Sequence, residues 1–398
     1  MENVSERVLG LAISQTLAMS QKSRDLQAQG VDVINLSVGE PDFNTPDHIK
    51  EAAIKAIQEN YSHYSPVPGY PKLLKAISDK LKRENNLDYG TDQIIVSNGA
   101  KHSLANLILS LVNKDDEVIV PAPYWVSYVE LVKLAEGKNV IIETSIDSDF
   151  KITPEQLKKA ITPKTKALFL CSPSNPSGSL YSKSELKALA EVIANSGVEM
   201  YILSDEIYEH INFVGKHESI AQFDFIRDKV IIINGVSKGY AMTGWRIGYI
   251  AAPKWIAKAC NKIQGQLTSG ASSISQMASI AALNVETSNI SEMVTAFKRR
   301  RDLVVKLAKE IKGFKINEPE GAFYLFPEIS AFFGKSNGNI KINNDSDLSM
   351  YILNQAHVAT VPGSAFGSSN YIRFSYATSD EKLVEAMSRM KNVLDKLQ

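Results

Sequence analysis

Short apolar runs alternate with longer, more polar stretches through most of this chain. The longer stretches predict helices over 47–59, 70–85 and 101–112. The short runs are rich in β-branched residues and are apolar throughout, not only at every second position. Strands that are buried on both faces have this composition, so the pattern predicts a mostly parallel sheet with helices outside it. The predicted strands are 93–97, 117–120, 140–143, 167–171, 199–203, 230–233 and 247–252.

The two ends of the chain predict a second, smaller unit. A polar helix over 18–29 ends at Gly30, a natural stop in the left-handed conformation, and a short strand follows over 33–36. Near the other end, the remaining predicted elements are a helical stretch over 272–312, strands over 322–326 and 371–376, and a closing helix over 379–397. We therefore expect a large domain over 48–285, and a small domain built from an N-terminal arm within 1–47 together with 286–398.

Composition narrows the function classes. The 398 residues are 44% hydrophobic and 22% charged, and 44 basic side chains balance 44 acidic ones. A neutral chain argues against binding to nucleic acid or to a membrane surface. The two cysteines, Cys171 and Cys260, predict no disulfide framework, and we find neither a signal peptide nor a membrane-spanning run. These features predict a cytoplasmic globular protein.

A lysine and an arginine lie eight residues apart in the segment 237–248, among glycines and small residues, directly after a predicted strand. Lys238 can form a Schiff base with an aldehyde cofactor if its surroundings lower its pKa. Arg246 can bind a phosphate through two parallel hydrogen bonds. The alternative for both residues is an ordinary surface loop with two solvated cations.

An anion site is also predicted where the strand over 93–97 meets the helix over 101–112. The connection Ser97-Asn98-Gly99-Ala100-Lys101 places free backbone N–H groups at a helix N-terminus, where anions bind. Taken alone, this glycine turn is a weak signal.

Further candidates follow the predicted strands, and ligands of parallel sheets bind at the carboxyl ends of strands. Asp205 can pair with a cofactor's ring nitrogen, or it can cap a helix. Tyr208 can hydrogen-bond a cofactor oxygen, or pack in the core. Asn175, in a loop with two prolines, can donate into a site, and Trp125 can lie against an aromatic ring. Arg373 interrupts an apolar strand and needs an anionic partner, either a substrate carboxylate or a structural acid.

Together these segments resemble the class I aminotransferases of pyridoxal-phosphate fold type I, and in particular the bacterial branch of aspartate and prephenate aminotransferases. The resemblance runs through nearly the whole chain in the family's order. It rests on the segments 39–43, 123–128, 172–178, 204–209, 238–248 and 373–376.

The resemblance implies an α/β fold whose large, cofactor-binding domain holds a seven-stranded, mostly parallel sheet flanked by helices, beside a smaller α+β domain. It implies that Lys238 carries pyridoxal 5'-phosphate as a Schiff base and moves the proton of the reaction. Asp205 would pair with the pyridine nitrogen and Tyr208 would bind the phenolic oxygen. The further cofactor contacts that it implies are Gly99, Ala100, Lys101, Trp125, Asn175, Ser237, Arg246 and, from the neighbouring subunit, Tyr64.

For the substrate, the resemblance implies that Arg373 binds the α-carboxylate with the backbone near Gly39, while Trp125 and Asn175 also contact the substrate. Lys101 would face the distal carboxylate of a dicarboxylic substrate. A helix-start lysine facing solvent is the alternative for Lys101. The shared Tyr64 implies a homodimer with active sites at the interface, and no metal is expected.

The implied reaction moves the amino group of L-aspartate to 2-oxoglutarate, giving oxaloacetate and L-glutamate. Prephenate, aromatic amino acids or alanine are alternative substrates, and a lyase on the same fold is a more distant alternative. One position departs from the family pattern: many relatives carry a serine three residues before the lysine, where this chain has Gly235. Ser237 is the candidate to replace the missing phosphate contact.

Overall fold

The computed structural model describes residues 4–285 and 290–398. Its principal helices are α1 Glu6–Leu9, α2 Gln15–Ala28, α3 Asp47–Gln58, α4 Pro71–Asn85, α5 Ala100–Leu111, α6 Ser127–Leu134, α7 Pro154–Ala160, α8 Lys183–Ala194, α9 Lys254–Leu267, α10 Ser273–Leu283, α11 Ser291–Ala308, α12 Asp345–Ala356 and α13 Asp380–Leu394. Within these described ranges, no helix combines the length and apolar character that crossing a membrane requires.

The strands of the large sheet are β2 Ile94–Ser97, β3 Glu117–Ala122, β4 Lys138–Glu143, β5 Thr165–Cys171, β6 Tyr201–Asp205, β7 Val230–Gly235 and β8 Gly248–Ala251. They lie in the order β2-β8-β7-β6-β5-β3-β4. Strand β8 runs antiparallel to both β2 and β7, and the other pairings are parallel. The predicted seven-stranded, mostly parallel sheet is confirmed.

Both faces of this sheet are buried along its inner strands, as the continuous apolar runs predict, whereas the edge strand β4 is mostly exposed or half-buried. Neighbouring residues of one strand belong to different cores: Ile202 is part of the apolar cluster that includes residues of α3, α4, α8 and α10, whereas Leu203 is part of the cluster that includes residues of α5, α6 and α9. Because the strands have an apolar layer on each side, neither face can carry polar residues. Polar chemistry is therefore confined to the ends of the strands.

A second group of elements joins the two ends of the chain. Its strands are β1 Ile34–Asn35, β9 Tyr324–Leu325, β10 Ser336–Asn337, β11 Ile340–Lys341, β12 Val358–Ala359, β13 Val361–Pro362 and β14 Ile372–Ser375. Strand β1 pairs with β12 in parallel, and β13, β14 and β9 form a small antiparallel sheet. The pairing of β1 with β12 links the N-terminal arm with the C-terminal part of the chain.

The helical stretch expected over 272–312 is two separate helices. Helix α10 ends at Leu283, where Asn284, a weak helix former, takes the C-cap position. Helix α11 begins at Ser291. Residues 286–289, where the expected small domain resumes, lie outside the described residues, as do residues 1–3 of the arm. The N-terminal helix begins at Gln15, earlier than expected, and Gly30 beyond its end has the left-handed φ of 85°.

Candidate active site

A cleft opens at the carboxyl ends of the parallel strands. It contains about 1270 Å³ of empty space and is bordered by loops of the large sheet, by the N-terminal arm and by β14. Most residues predicted from the sequence line it: Gly39, Ala100, Lys101, Trp125, Asn175, Asp205, Tyr208, Ser237, Lys238, Arg246 and Arg373. Two predicted residues, Gly99 and Tyr64, are not among its lining residues.

Lys238 follows strand β7, and its side chain is partly buried in the cleft. Its amine donates a hydrogen bond to the Gly39 carbonyl oxygen at 2.5 Å. Burial lowers the pKa of Lys238 to about 8, and the nearby positive charges of Arg373 and Arg246 act in the same direction. The amine is therefore closer to its neutral, nucleophilic form at physiological pH than a solvated lysine is.

Asp205 is the last residue of β6 and is 4% exposed. One carboxylate oxygen accepts a 2.6 Å hydrogen bond from the Tyr128 hydroxyl, and the other accepts a bond from the Ile207 backbone N–H at 3.3 Å. Burial raises the pKa of Asp205 to about 6, although the Tyr128 hydrogen bond opposes this shift. Within residues 4–285 and 290–398, no cationic side chain forms an ion pair with Asp205.

Tyr208 lies one short turn beyond Asp205, and its hydroxyl is 2.7 Å from that of Tyr324 on β9. Burial raises the pKa of the Tyr208 hydroxyl well above its ordinary value. Both hydroxyls line the cleft. The pair brings together a loop of the large sheet and a strand of the second group.

Arg373 lies in β14 and is 2% exposed. Its guanidinium donates to the Ser37 carbonyl oxygen at 2.7 Å and to Asn175 Oδ1 at 3.0 Å. The rings of Tyr324 and Phe366 lie on it, with their centroids 4.6 and 4.7 Å from the guanidinium carbon.

No carboxylate of the described chain pairs with Arg373, and its buried Nε has no hydrogen-bond partner. A buried cation in this condition favours binding an anion. The structural acid considered as an alternative partner for Arg373 is therefore absent from the described residues.

Arg246 and the start of α5 form an anion cradle. The Arg246 guanidinium donates to the Thr243 and Asn98 carbonyl oxygens at 2.8 and 3.4 Å. A Cβ atom on Gly99 would lie 2.2 Å from Arg246 Nη2, and Gly99 has a φ of 83°. Only glycine allows this approach in this backbone conformation. Gly99 thus contributes by letting Arg246 lie against the helix N-terminus, where free N–H groups attract anions.

Lys101 and Trp125 lie together in the cleft lining. The Lys101 ammonium is 4.9 Å from the centroid of the Trp125 ring, which is a cation–π contact. Burial lowers the pKa of Lys101, and the positive charge of Arg246 adds to this effect. Lys101 forms no ion pair with any carboxylate in residues 4–285 or 290–398. Lys101 lines the cleft and is at the same time exposed, so both sequence alternatives for this residue stay predictions.

Tyr64 is 98% exposed. An aromatic side chain is seldom left fully in water, since aromatic rings carry much of the apolar surface that proteins bury. The resemblance places this residue at a neighbouring subunit's site, and the contact stays a prediction.

Gly235 has a structural reason to be glycine. It is the last residue of β7 and pairs with Gly248 of β8. A Cβ atom at Gly235 would lie 2.7 Å from the Ile247 carbonyl oxygen and 2.9 Å from the Gly248 Cα atom. A serine therefore does not fit without shifting the strand, while Ser237 lines the cleft two residues further on.

Sequence reasoning did not single out Tyr128, Tyr324 or Ser37. Their roles depend on contacts between residues 77 to 336 positions apart. The signal available for Tyr128 and Tyr324 was a hydroxyl within an otherwise apolar stretch, which also describes a packed core tyrosine.

A buried ion pair, also not predicted, supports the loop that carries Asp205 and Tyr208. Lys80 of α4 is fully buried and pairs with Glu209, which also accepts from Asn234 Nδ2 at 2.8 Å. Burial opposes ionisation of Glu209, but the charge and hydrogen bond of Lys80, together with the charges of His210 and His217, outweigh it and lower the pKa of that carboxyl. A pair of this kind orients the loop because breaking it would leave a buried charge alone.

The sheet and cleft together define a class of protein: an α/β enzyme in which a lysine amine of lowered pKa, a buried carboxylate and two arginines face one site. A family model described as aminotransferase class I and II matches residues 31–390. The chain belongs to this family, whose members use pyridoxal phosphate.

Individual relatives agree with this assignment. A probable aspartate/prephenate aminotransferase of Rickettsia bellii is 48% identical over all of both chains. The crystal structure of the aspartate aminotransferase from Rhizobium meliloti superposes with a TM-score of 0.96 at 42% identity, also over all of both chains. The aspartate aminotransferase of Thermus thermophilus with maleate has a TM-score of 0.92 at 38% identity, covering 99% of this chain and 100% of that one.

Proposed function

We propose that this chain is an aspartate aminotransferase, which moves the amino group of L-aspartate to 2-oxoglutarate and gives oxaloacetate and L-glutamate. The observation that carries the proposal is that two cations without carboxylate partners in the described chain, the buried Arg373 and the cleft residue Lys101, line the same cleft as Lys238. Two carboxylates and an amine are the chemical groups of a dicarboxylic amino acid. Maleate, named with the Thermus thermophilus structure, is also a dicarboxylate.

The residues fit pyridoxal 5'-phosphate. Lys238 offers an amine of lowered pKa to an aldehyde. Asp205 is a buried carboxylate without a cationic partner in the described chain, which suits a protonated ring nitrogen. Arg246 and the start of α5 suit a phosphate, with Ser237 nearby in the lining. The cofactor, when bound, acts as an electron sink for the substrate's α-carbon.

Different side chains of this protein bind the substrate and transfer the proton. Arg373, with Asn175 and the backbone near Gly39, holds the α-carboxylate. The Lys238 amine takes the proton from the substrate α-carbon and later returns one, as a general base and acid. Its hydrogen bond to the Gly39 carbonyl oxygen keeps the amine directed before substrate arrives.

Asp205 and Tyr208 act on the ring of the cofactor. The Asp205 carboxylate would pair with the ring nitrogen and favour its protonated form, and the Tyr208 hydroxyl would donate a hydrogen bond to the phenolic oxygen. Trp125 provides an aromatic face beside the ring. We assign Lys101 to the distal carboxylate of the substrate, and prephenate, which also carries two carboxylates, is a second acceptor that fits the same two cations.

The function is tested with Lys238→Ala and a substrate panel. Wild-type protein should exchange aspartate with 2-oxoglutarate faster than phenylalanine or alanine, and glutamate with prephenate should be measured beside it. The kcat of the variant should be at least about 10²–10⁴-fold lower than that of wild type, because a positioned general base typically contributes this factor to the rate. Lys312→Ala, which changes a lysine exposed at the surface, is the control.

Three results would contradict the proposal: an active Lys238→Ala variant, a preference for monocarboxylic substrates, or the release of ammonia and pyruvate without an amino acceptor. The last of these would show a lyase.

We further propose a cytoplasmic homodimer in which Tyr64 reaches the phosphate site of the neighbouring subunit. The full exposure of this aromatic side chain and the two free cysteines support the proposal. Residues 1–47 and 286–398 would form the small domain against the large domain of 48–285. Light scattering at micromolar concentration tests the dimer, and Tyr64→Phe should weaken cofactor binding without changing the mass.

A further inference from the structure

We propose that Tyr128 is a positioning residue of this active site, whose hydroxyl holds the Asp205 carboxylate in its ionised form and in one orientation. The inference rests on the proposed pairing of Asp205 with the cofactor's ring nitrogen. It adds a residue that does not itself need to touch the cofactor or the substrate.

The hydrogen bond between the two side chains is short and buried. The Tyr128 hydroxyl donates to Asp205 Oδ2 at 2.6 Å, and the two residues are 2% and 4% exposed. An O–H bond to a carboxylate at this distance is charge-assisted, and such bonds are stronger than neutral ones. With one oxygen held by Tyr128 and the other by the Ile207 N–H, the carboxyl plane cannot rotate freely.

The tyrosine ring is itself held on two sides. It stacks on Phe169 of β5 with centroids 4.3 Å apart and planes 9° apart. The Trp125 ring meets it edge-on, at 5.5 Å and 85°. Because a ring packed in this way has no other rotamer open to it, the hydroxyl has a fixed position. Tyr128 thereby connects the carboxylate of β6 to the aromatic residue that we assign to the cofactor ring.

The charges around Asp205 show why a donor is needed here. Burial raises the pKa of this carboxyl, and the negative charge of Glu206 adds to the rise. Lys238 acts in the opposite direction. Cys171 at the end of β5 is the other titratable neighbour, and burial raises the pKa of its thiol to about 12, so the thiol is neutral. Tyr128 and the Ile207 N–H are the hydrogen-bond donors that favour the carboxylate.

The experiment measures the affinity of the apoprotein for pyridoxal phosphate between pH 5.5 and 8.5, followed by quenching of tryptophan fluorescence. Tyr128→Phe removes only the hydroxyl. It should weaken binding about tenfold near pH 7, the usual worth of a hydrogen bond to a charged group. Without its donor, Asp205 holds its proton to higher pH. The acid limb of the binding curve, which is the range over which affinity falls as the pH is lowered, should therefore lie at higher pH in the variant. The curves of variant and wild type should converge above pH 8.

Three further variants make the result decisive. Tyr181→Phe removes another buried tyrosine hydroxyl, one that accepts from the Ile152 N–H and does not touch Asp205, so it should not move the acid limb. Asp205→Ala should weaken binding strongly, and adding Tyr128→Phe to it should change nothing more. Phe169→Leu keeps the hydroxyl and removes the ring stacked on it, and should move the acid limb in the same direction by less.

The outcomes separate the two proposals. If Asp205→Ala binds the cofactor as wild type does, the proposed role of Asp205 is wrong and the inference falls with it. If Asp205→Ala is impaired but neither Tyr128→Phe nor Phe169→Leu moves the acid limb, only the role of Tyr128 is wrong. Equal losses at every pH, or additive losses in the double variant, would show that Tyr128 is merely structural.

Discussion

Lys238 has surroundings that make one amine chemically different from the solvated lysines of the same chain. Its neighbours are the rings of Tyr208 and Phe323, whose centroids lie 5.7 and 5.9 Å from the amine, and the carbonyl of Gly39. Burial removes water from around the Lys238 ammonium, and the positive charges of Arg373 and Arg246 also disfavour its charged form. The pKa of Lys238 therefore falls to about 8. The carbonyl accepts from the amine in either protonation state.

This environment predicts how fast Lys238 reacts in the apoprotein as pH changes. Only the neutral amine attacks an electrophile, so labelling of Lys238 by an amine-reactive aryl halide should rise with pH around a midpoint near 8. A lysine in an unfolded reference peptide added to the same sample should show a midpoint of about 10.4. Peptide mass spectrometry after timed labelling measures both in one sample, and matching midpoints would contradict the environment described.

The anion cradle formed by Arg246 and the start of α5 depends on how this helix begins. Gly99 has a left-handed φ and lies directly under the Arg246 guanidinium. The helix start offers N–H groups and the arginine offers charge, and both are available only because the residue between them has no side chain.

Gly99→Ala should therefore displace Arg246 and weaken binding of pyridoxal phosphate about tenfold or more. Gly30→Ala is the matched control, since Gly30 has a φ of 85° and no atoms within 4 Å of an added Cβ. Both variants should lose about 1 kcal/mol of folding free energy from backbone strain. If fluorescence titration shows the same cofactor affinity for both, the cradle does not depend on the glycine.

At the level of elements, the large sheet was predictable because its strands are buried on both faces. Such strands must be apolar throughout, and the run over 230–233 predicts β7 without further information. Asp205 and Asn175 were predictable for a related reason: polar residues after such runs are confined to one edge of the sheet.

Other features depend on packing between distant elements, which no local pattern records. The direction of the Tyr128 side chain follows from the stacking of its ring on Phe169 of β5. The separation of α10 from α11 was missed because the residues on both sides of Asn284 are compatible with a helix. The Lys80–Glu209 pair was missed because a lysine in an amphipathic helix normally faces water.

On the scale of the whole molecule, the site lies where the large sheet meets the elements from the two chain ends. An ion pair joins these parts beside it: Arg300 of α11 forms two hydrogen bonds to the Asp42 carboxylate, at 2.7 and 2.9 Å. Asp42 lies three residues after Gly39, so the pair also holds the loop whose carbonyl receives the Lys238 amine.

Asp42→Asn should destabilise the protein by roughly 1–3 kcal/mol, because the Arg300 side chain is only 8% exposed and would keep only its longer, 3.4 Å contact with the Asp380 carboxylate. Urea denaturation measures the loss. Asp47→Asn is the control, since Asp47 is 86% exposed and pairs with Lys50 on the surface. Such a pair is worth about 0–1 kcal/mol. Equal decreases in the free energy of unfolding of the two variants would show that the Arg300–Asp42 pair stabilises the protein no more than a surface pair does.

The hydrogen bond from Arg373 to the Ser37 carbonyl joins residues 336 positions apart. The strands of the seven-stranded sheet end at Ala251, so all of them are translated before β14, which begins at Ile372. A nascent chain that ends before β14 therefore contains Lys238 but lacks Arg373, which is one of the two arginines that lower the pKa of this amine and the residue proposed to bind the α-carboxylate. The lowered pKa of Lys238 and the proposed carboxylate site are therefore both completed only after residue 373 has been translated.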